Sequence, residues 1–390
     1  MSRIPTAPPL PEPTADERAL SLRLTGLIGA EISHAGGAIS FAHFMELALY
    51  TPELGYYSAA QHKFGAAGDF VTAPELGSVF AHCLARQCAQ ILGDLRGGQI
   101  LEAGAGSGAL AVQLLLELEL LGQLPEHYLI LEISNALRAR QQALFTAEAP
   151  RLLKCVQWID QLPSAGFRGI VFGNELLDAL PVERFRVRTK DCAALAVGWE
   201  KNGFAWRELP ASEAVGERMA PLGLPEGYVS EIGFAAEGWV RSVADILDQG
   251  VLLLVDYGFP RGEFYHLQRS AGTLMCHYRQ RAHTDPLILV GLQDITAHVD
   301  FSAVAEAGAE SGLALLGYTA QALFLIGCGL DEVTAQAASN DARAQLVLTN
   351  EIKKLTLPHE MGEVFKVIAL GRGIQTPLAG FRMQDRRGRL

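Results

Sequence analysis

The stretch that most constrains the fold is a glycine loop set between an apolar strand and a helix. Residues 99–104 read QILEAG, and the loop runs Glu102-Ala103-Gly104-Ala105-Gly106-Ser107-Gly108. A strongly apolar helix is predicted over 107–121. Glycines permit a tight turn and let a ligand touch the backbone, and the helix start offers free N–H groups to an anion. Such a loop belongs to a parallel sheet with crossover helices. By itself it is ambiguous, because Gly104, Gly106 and Ala109 also satisfy the relaxed dinucleotide pattern GxGxxG/A.

The chain after the loop fits that frame. HYLILEI (127–133), KCVQWI (154–159), GIVFGNE (169–175) and VLLLVDYG (251–258) read as further strands, with helices over 134–146 and 235–248. LALLGY (313–318) and VFKVIALG (364–371) read as later strands. Alternation of this kind predicts βαβ units and a parallel sheet buried on both faces. The expected fold class is α/β: a Rossmann-like sheet with an N-terminal helical region and hairpin and loop insertions.

The expected organisation follows. Residues 1–15 form a Pro-rich disordered tail, and 16–97 a helical cap containing a Gly-rich loop over 64–76. Residues 98–373 form the sheet domain, with insertions at about 182–235 and 259–300, and 374–390 a C-terminal tail. The first insertion alternates like hairpin strands, whereas the second is polar, His-rich and too long for an ordinary loop.

In an open parallel sheet, ligands sit beyond the carboxyl ends of the strands. The second strand ends at Glu132, whose carboxylate can accept hydrogen bonds from both hydroxyls of a ribose. The fourth ends at Asn174-Glu175, with Asp178 close behind. A nicotinamide dehydrogenase explains the loop and Glu132 but has no use for Asn174-Glu175. S-adenosylmethionine uses the same crevice: its carboxylate at the helix start, its ribose at Glu132, its amino group near Glu102, its methyl toward the fourth strand. These residues favour a class I methyltransferase.

Composition removes other classes. The chain has 390 residues, with 32 Lys+Arg against 43 Asp+Glu and a net charge of −11. That field opposes nonspecific nucleic-acid binding, so no nucleic-acid partner is expected. Six scattered cysteines form no CxxC, which reads as free thiols in a reducing cytosol. His277, His283 and His298 match no ligand spacing, and no metal is expected. The apolar stretch 311–330 contains several glycines and Gln321, so it reads as a strand, a turn and a buried helix rather than a membrane span. The start is neither a signal peptide nor an Arg-rich presequence, and the expected location is cytoplasmic.

Several blocks taken together resemble the MidA-like family. They include ISFAHFMELALYTPELGYY (39–57), GDFVTAPELGSVF (68–80), LEAGAGSGAL (101–110), GNELLDALPVERF (173–185) and DPLILVGLQDITAHVDF (285–301). That family includes a mitochondrial respiratory complex I assembly factor that methylates arginine in a protein. The resemblance implies an S-adenosyl-L-methionine-dependent methyltransferase, releasing S-adenosyl-L-homocysteine, with a protein acceptor such as a respiratory-complex subunit. By position, Gly104, Gly106 and Gly108 match the cofactor loop, Glu132 the ribose-binding acid, and Asn174 and Glu175 the motif beside the transferred methyl. GDFVTAPE matches a loop that closes over the cofactor, with Phe70 or Thr72 in contact with it. Two other readings stay open: a cofactor-binding assembly protein with little turnover, and a nicotinamide oxidoreductase.

An arginine acceptor is cationic, and carboxylates bind guanidinium bidentately. The expected catalytic residues are Glu175 and Asp178, then Asp256, Asp69 and Glu75, which spacing does not rank. Asp294, in QDIT, reads as a helix or turn cap.

Overall fold

The computed structural model describes residues 10–58, 73–201 and 203–390. Phe64, Asp69, Phe70, Thr72 and most of the expected closing loop lie outside the described residues, as do residues 1–9 of the Pro-rich tail.

The frame is a sheet of strands β1 (Gln99–Ala103), β2 (Tyr128–Leu131), β3 (Val156–Ile159), β4 (Phe167–Asn174), β5 (Leu247–Phe259), β6 (Ala314–Ala320) and β7 (Phe365–Arg372). They lie in the order β6-β7-β5-β4-β1-β2-β3, and a short strand, Val299–Asp300, pairs with the end of β5. Strands β1 to β5 are parallel to one another, as the βαβ pattern predicts. Strand β7 departs from the expectation: it runs antiparallel between β5 and β6. A strand buried on both faces has the same apolar run in either direction, so the sequence pattern does not distinguish the two.

Side chains alternate across the sheet with the period of two that a strand imposes. Ile100, Ile170, Phe172 and Leu253 face helices Val79–Leu95 and Ala109–Leu120. Leu101, Val171, Leu252 and Leu254 face helices Phe234–Ile246 and Phe301–Glu310. Helix Val79–Leu95, read from sequence as part of the cap, thus packs on the sheet. The apolar stretch 311–330 supplies β6 and then the short helix Gln321–Gly327, in which Gln321 is buried. No helix among the described residues is long and apolar enough to cross a membrane.

The cap consists of helices Ala15–His34 and Phe41–Tyr50, the second opened by Ser40, whose hydroxyl accepts the His43 amide at 3.1 Å. It shares a core with both insertions, through Phe41, Phe44, Val197, Cys276 and Ile295. The first insertion folds into a five-stranded antiparallel sheet that includes Ala38–Ile39 from the cap. The second, expected to be irregular, contains a three-stranded sheet: Arg281–His283, Met275–Tyr278 and Asp294–Thr296. The C-terminal segment is packed down. Phe381 is buried against Gly317, where an added Cβ would come within 2.3 Å of the ring.

Candidate active site

Register brings the strand ends together. Ala103 pairs with Leu131 on one side and Gly173 on the other, while Asn174 pairs with Val255. Gly104, Glu132 and Glu175 therefore each begin just beyond the paired rows, and Asp256 lies just beyond the pairing of β5 with β4 while still paired with Lys366 of β7. This edge opens into a cavity of about 440 Å³ at the point where the strand order reverses between β1 and β4.

One end of the cavity is the glycine loop. Gly104 has φ +72° and Gly108 φ +86°, backbone that L side chains rarely adopt. An added Cβ would lie 3.2 Å from Leu176 Cδ1 at Gly104 and 3.1 Å from Gln141 Cγ at Gly108. Gly108 caps helix Ala109–Leu120 with no side-chain hydrogen bond, leaving amides at the helix start for an anionic ligand. Ser107, inside the loop, donates its hydroxyl to Glu75, which also lines the cavity.

Glu132 is held from two directions. The Ser134 amide donates to Oε1 at 2.8 Å and the Gln141 side chain to Oε2 at 3.3 Å. Gln141 also donates to Gly106 O at 3.0 Å, and its own oxygen accepts Trp158 Nε1 at 2.8 Å. One buried amide thus ties the loop to the ribose-side acid. Sequence reasoning does not single out Gln141, because a glutamine in a helical run carries no spacing signal. Glu102 lines the cavity but accepts the Tyr128 hydroxyl at 2.7 Å. Burial pushes its carboxyl up to about 7, against that hydrogen bond.

The other end is the turn after β4. Glu175 has φ +52°, a strained conformation for a residue with a side chain. Its amide donates to Val255 O at 2.9 Å, and its carboxylate accepts Asn174 Nδ2 at 3.0 Å. Burial, then the Asp178 carboxylate, push Glu175 up to about 8, while Asn174 and the Ala73 amide oppose the shift. Burial also raises Asp178 to about 6, opposed by the Tyr257 hydroxyl. Asp178 Oδ1 and Asn174 Oδ1 are buried with no hydrogen-bond partner among the described residues.

Of the residues expected from sequence, Glu102, Gly104, Gly106, Glu132, Asn174, Glu175 and Asp178 line this one cavity. Gly108 and Asp256 do not. Asp256 Oδ2 accepts the amides of Leu176, Leu177 and Asp178 at 3.1, 2.8 and 3.3 Å, and Oδ1 accepts the Tyr257 amide at 2.9 Å. Its carboxylate is directed at the backbone, so it shapes the turn that carries Glu175. Asp294, expected as a cap, lies instead on a strand at the cavity wall. The wall is acidic: it includes Glu75, Glu102, Glu132, Glu175, Asp178 and Asp294, and no Lys or Arg among the described residues.

Comparisons with known proteins agree with this geometry. Residues 83–319 match the model of a family described as "Putative S-adenosyl-L-methionine-dependent methyltransferase". A solved structure from Burkholderia thailandensis, bound to S-adenosyl-homocysteine, is 45% identical with a TM-score of 0.95, over 98% of this chain and 100% of that one. The zebrafish (Danio rerio) protein arginine methyltransferase NDUFAF7, mitochondrial, is 27% identical over 86% of this chain and 84% of its own. Its Drosophila melanogaster homolog is 26% identical over 96% and 92%.

Proposed function

The chain belongs to this family of S-adenosyl-L-methionine-dependent methyltransferases, to which its MidA-like motifs point, and from that membership we propose that it methylates arginine in a protein. The cofactor supplies a sulfonium-bound methyl group and leaves as S-adenosyl-L-homocysteine. The residues present suit it: a glycine-rich loop, a helix start whose Gly108 cap brings no side chain, and a braced Glu132.

The observation that carries the acceptor reading is the turn at Asn174–Asp178. It sets Asn174, Glu175 at φ +52° and Asp178 on the lining of a cavity whose described wall has no Lys or Arg. Such a wall suits a cation with several N–H donors, and the names of the relatives agree with arginine. Glu175 and Asp178 orient the guanidinium so that one terminal nitrogen faces the methyl. With the cofactor bound, that nitrogen would take the methyl; the cation beside Glu175 favours the ionised carboxylate over the form otherwise protonated up to about 8, and that carboxylate would accept the nitrogen's proton. Proximity and orientation of this kind account for up to about 7–11 kcal/mol in favourable cases. A nicotinamide oxidoreductase has no role for this turn.

The decisive experiment incubates the protein with methyl-labelled S-adenosylmethionine and a bacterial lysate, then maps the label by mass spectrometry. Label on arginine, absent with Glu175→Ala, is expected. Binding of S-adenosylhomocysteine without any labelled protein would instead favour an assembly protein with little turnover. A respiratory-complex acceptor and a cytoplasmic location belong to the same proposal, and the identity of the labelled protein and cell fractionation test them.

A further inference from the structure

The sheet supplies only one wall of the acceptor end. Strand Asp294–Thr296, from the second insertion, supplies a further part of the wall, and just past it the Ala297 amide donates to Asp178 O at 3.0 Å. Asp294 is 2% exposed, pairs across the hairpin with His277, and accepts the Tyr57 hydroxyl at 2.8 Å. Tyr57 stacks on Tyr50 with ring centroids 5.5 Å apart, and the Tyr50 hydroxyl donates to Ala179 O at 2.9 Å. The tyrosine pair therefore fixes Asp294 relative to the turn that carries Asp178. Two residues along the same strand face, Thr296 is also 2% exposed. Thr296 and Asp178 both line the cavity, and the Tyr257 hydroxyl joins them by side-chain hydrogen bonds.

We propose that Asp294 is a specificity-determining residue of the acceptor site, so that the second insertion completes a guanidinium pocket that the sheet alone leaves half-built. This rests on the arginine reading given above. A guanidinium presents five N–H donors in a rigid planar fork, more than one carboxylate can accept. Glu175 takes the edge that carries the reacting nitrogen. Asp294 and Asp178, held together through the Tyr57–Tyr50 pair, take the remaining donors. A lysine ammonium, a single point with three donors, cannot span both walls.

The test titrates full-length protein saturated with S-adenosylhomocysteine against Nα-acetyl-arginine amide and Nα-acetyl-lysine amide. Asp294→Asn retains an oxygen for the Tyr57 hydroxyl. It is expected to weaken the arginine probe by about tenfold or more, the lysine probe far less, and S-adenosylhomocysteine not at all. With lysate as acceptor, Asp294→Asn raises KM more than it lowers kcat. The proposal is overturned if wild type does not bind the arginine probe, if Asp294→Asn binds it like wild type, or if it weakens both probes equally. Mass spectrometry of the labelled protein separates the two readings. Methyl on a residue other than arginine removes both, whereas arginine methylated with unchanged KM by Asp294→Asn removes this one alone.

Discussion

Asp256 Oδ2 lies 2.8 Å from the Leu177 amide nitrogen, the shortest of the bonds by which one carboxylate oxygen gathers the turn after β4. Removing that carboxylate leaves buried donors without partners, each worth about 1–3 kcal/mol. Asp256→Ala is expected to lose at least about 3 kcal/mol in urea unfolding, and Asp256→Asn, which keeps an oxygen, clearly less. Equal losses for both variants would show that charge, not the acceptor, holds the turn.

Glu175 is expected to trade stability for activity. Replacing it with glycine removes the penalty of φ +52°, roughly 1–2 kcal/mol, together with a buried ionisable group. Glu175→Gly should therefore melt above wild type while turnover falls about 10²-fold or more. A lower melting temperature would mean that its contacts outweigh the strain.

Stability should fall as the pH rises. In the folded protein Glu175 holds its proton up to about 8, against an ordinary 4.5, and Glu102 up to about 7. Between those values the folded state binds protons that the unfolded state has released, so alkalinity favours unfolding. The contribution is intact below 4.5 and is lost as the pH rises through the folded value. Melting temperatures from about pH 5 to 8.5 should show a shallower decline for Glu175→Gln than for wild type; parallel curves would sink the assignment.

The cofactor end is tested by calorimetry with S-adenosylhomocysteine. Gly104→Val places a branched side chain at φ +72° against Leu176 and should abolish measurable binding. Glu132→Ala removes the ribose-side acid and should weaken binding about 10- to 100-fold, the worth of a hydrogen bond to a charged group. Unchanged affinity in Glu132→Ala would mean that the ribose lies elsewhere.

How much of this is legible without the structure depends on how local the signal is. The glycine loop, Glu132 and Asn174-Glu175 each follow an apolar run that fixes a strand end, so their convergence follows from parallel register. Asp256 follows such a run as well, but where its carboxylate points depends on a turn 80 residues earlier. Asp294 and Tyr57 meet across 237 residues, and Gln141 reaches the loop across 35. None of those contacts leaves a periodic trace. The antiparallel direction of β7 is hidden for the reason that makes it recognisable as a strand: it is apolar on both faces.

The place of β7 also dictates when the sheet can close during synthesis. The strand that fills the slot between β5 and β6 is the last of them to leave the ribosome, and Phe381, which seals Gly317, follows it. Until then the β5 edge, with the backbone groups of Leu252 and Leu254 that later pair with β7, has no neighbour on that side. The glycine loop and β4 are made early, but the cavity they border is lined in part by Val364 and Phe365, so its wall is completed only when β7 arrives.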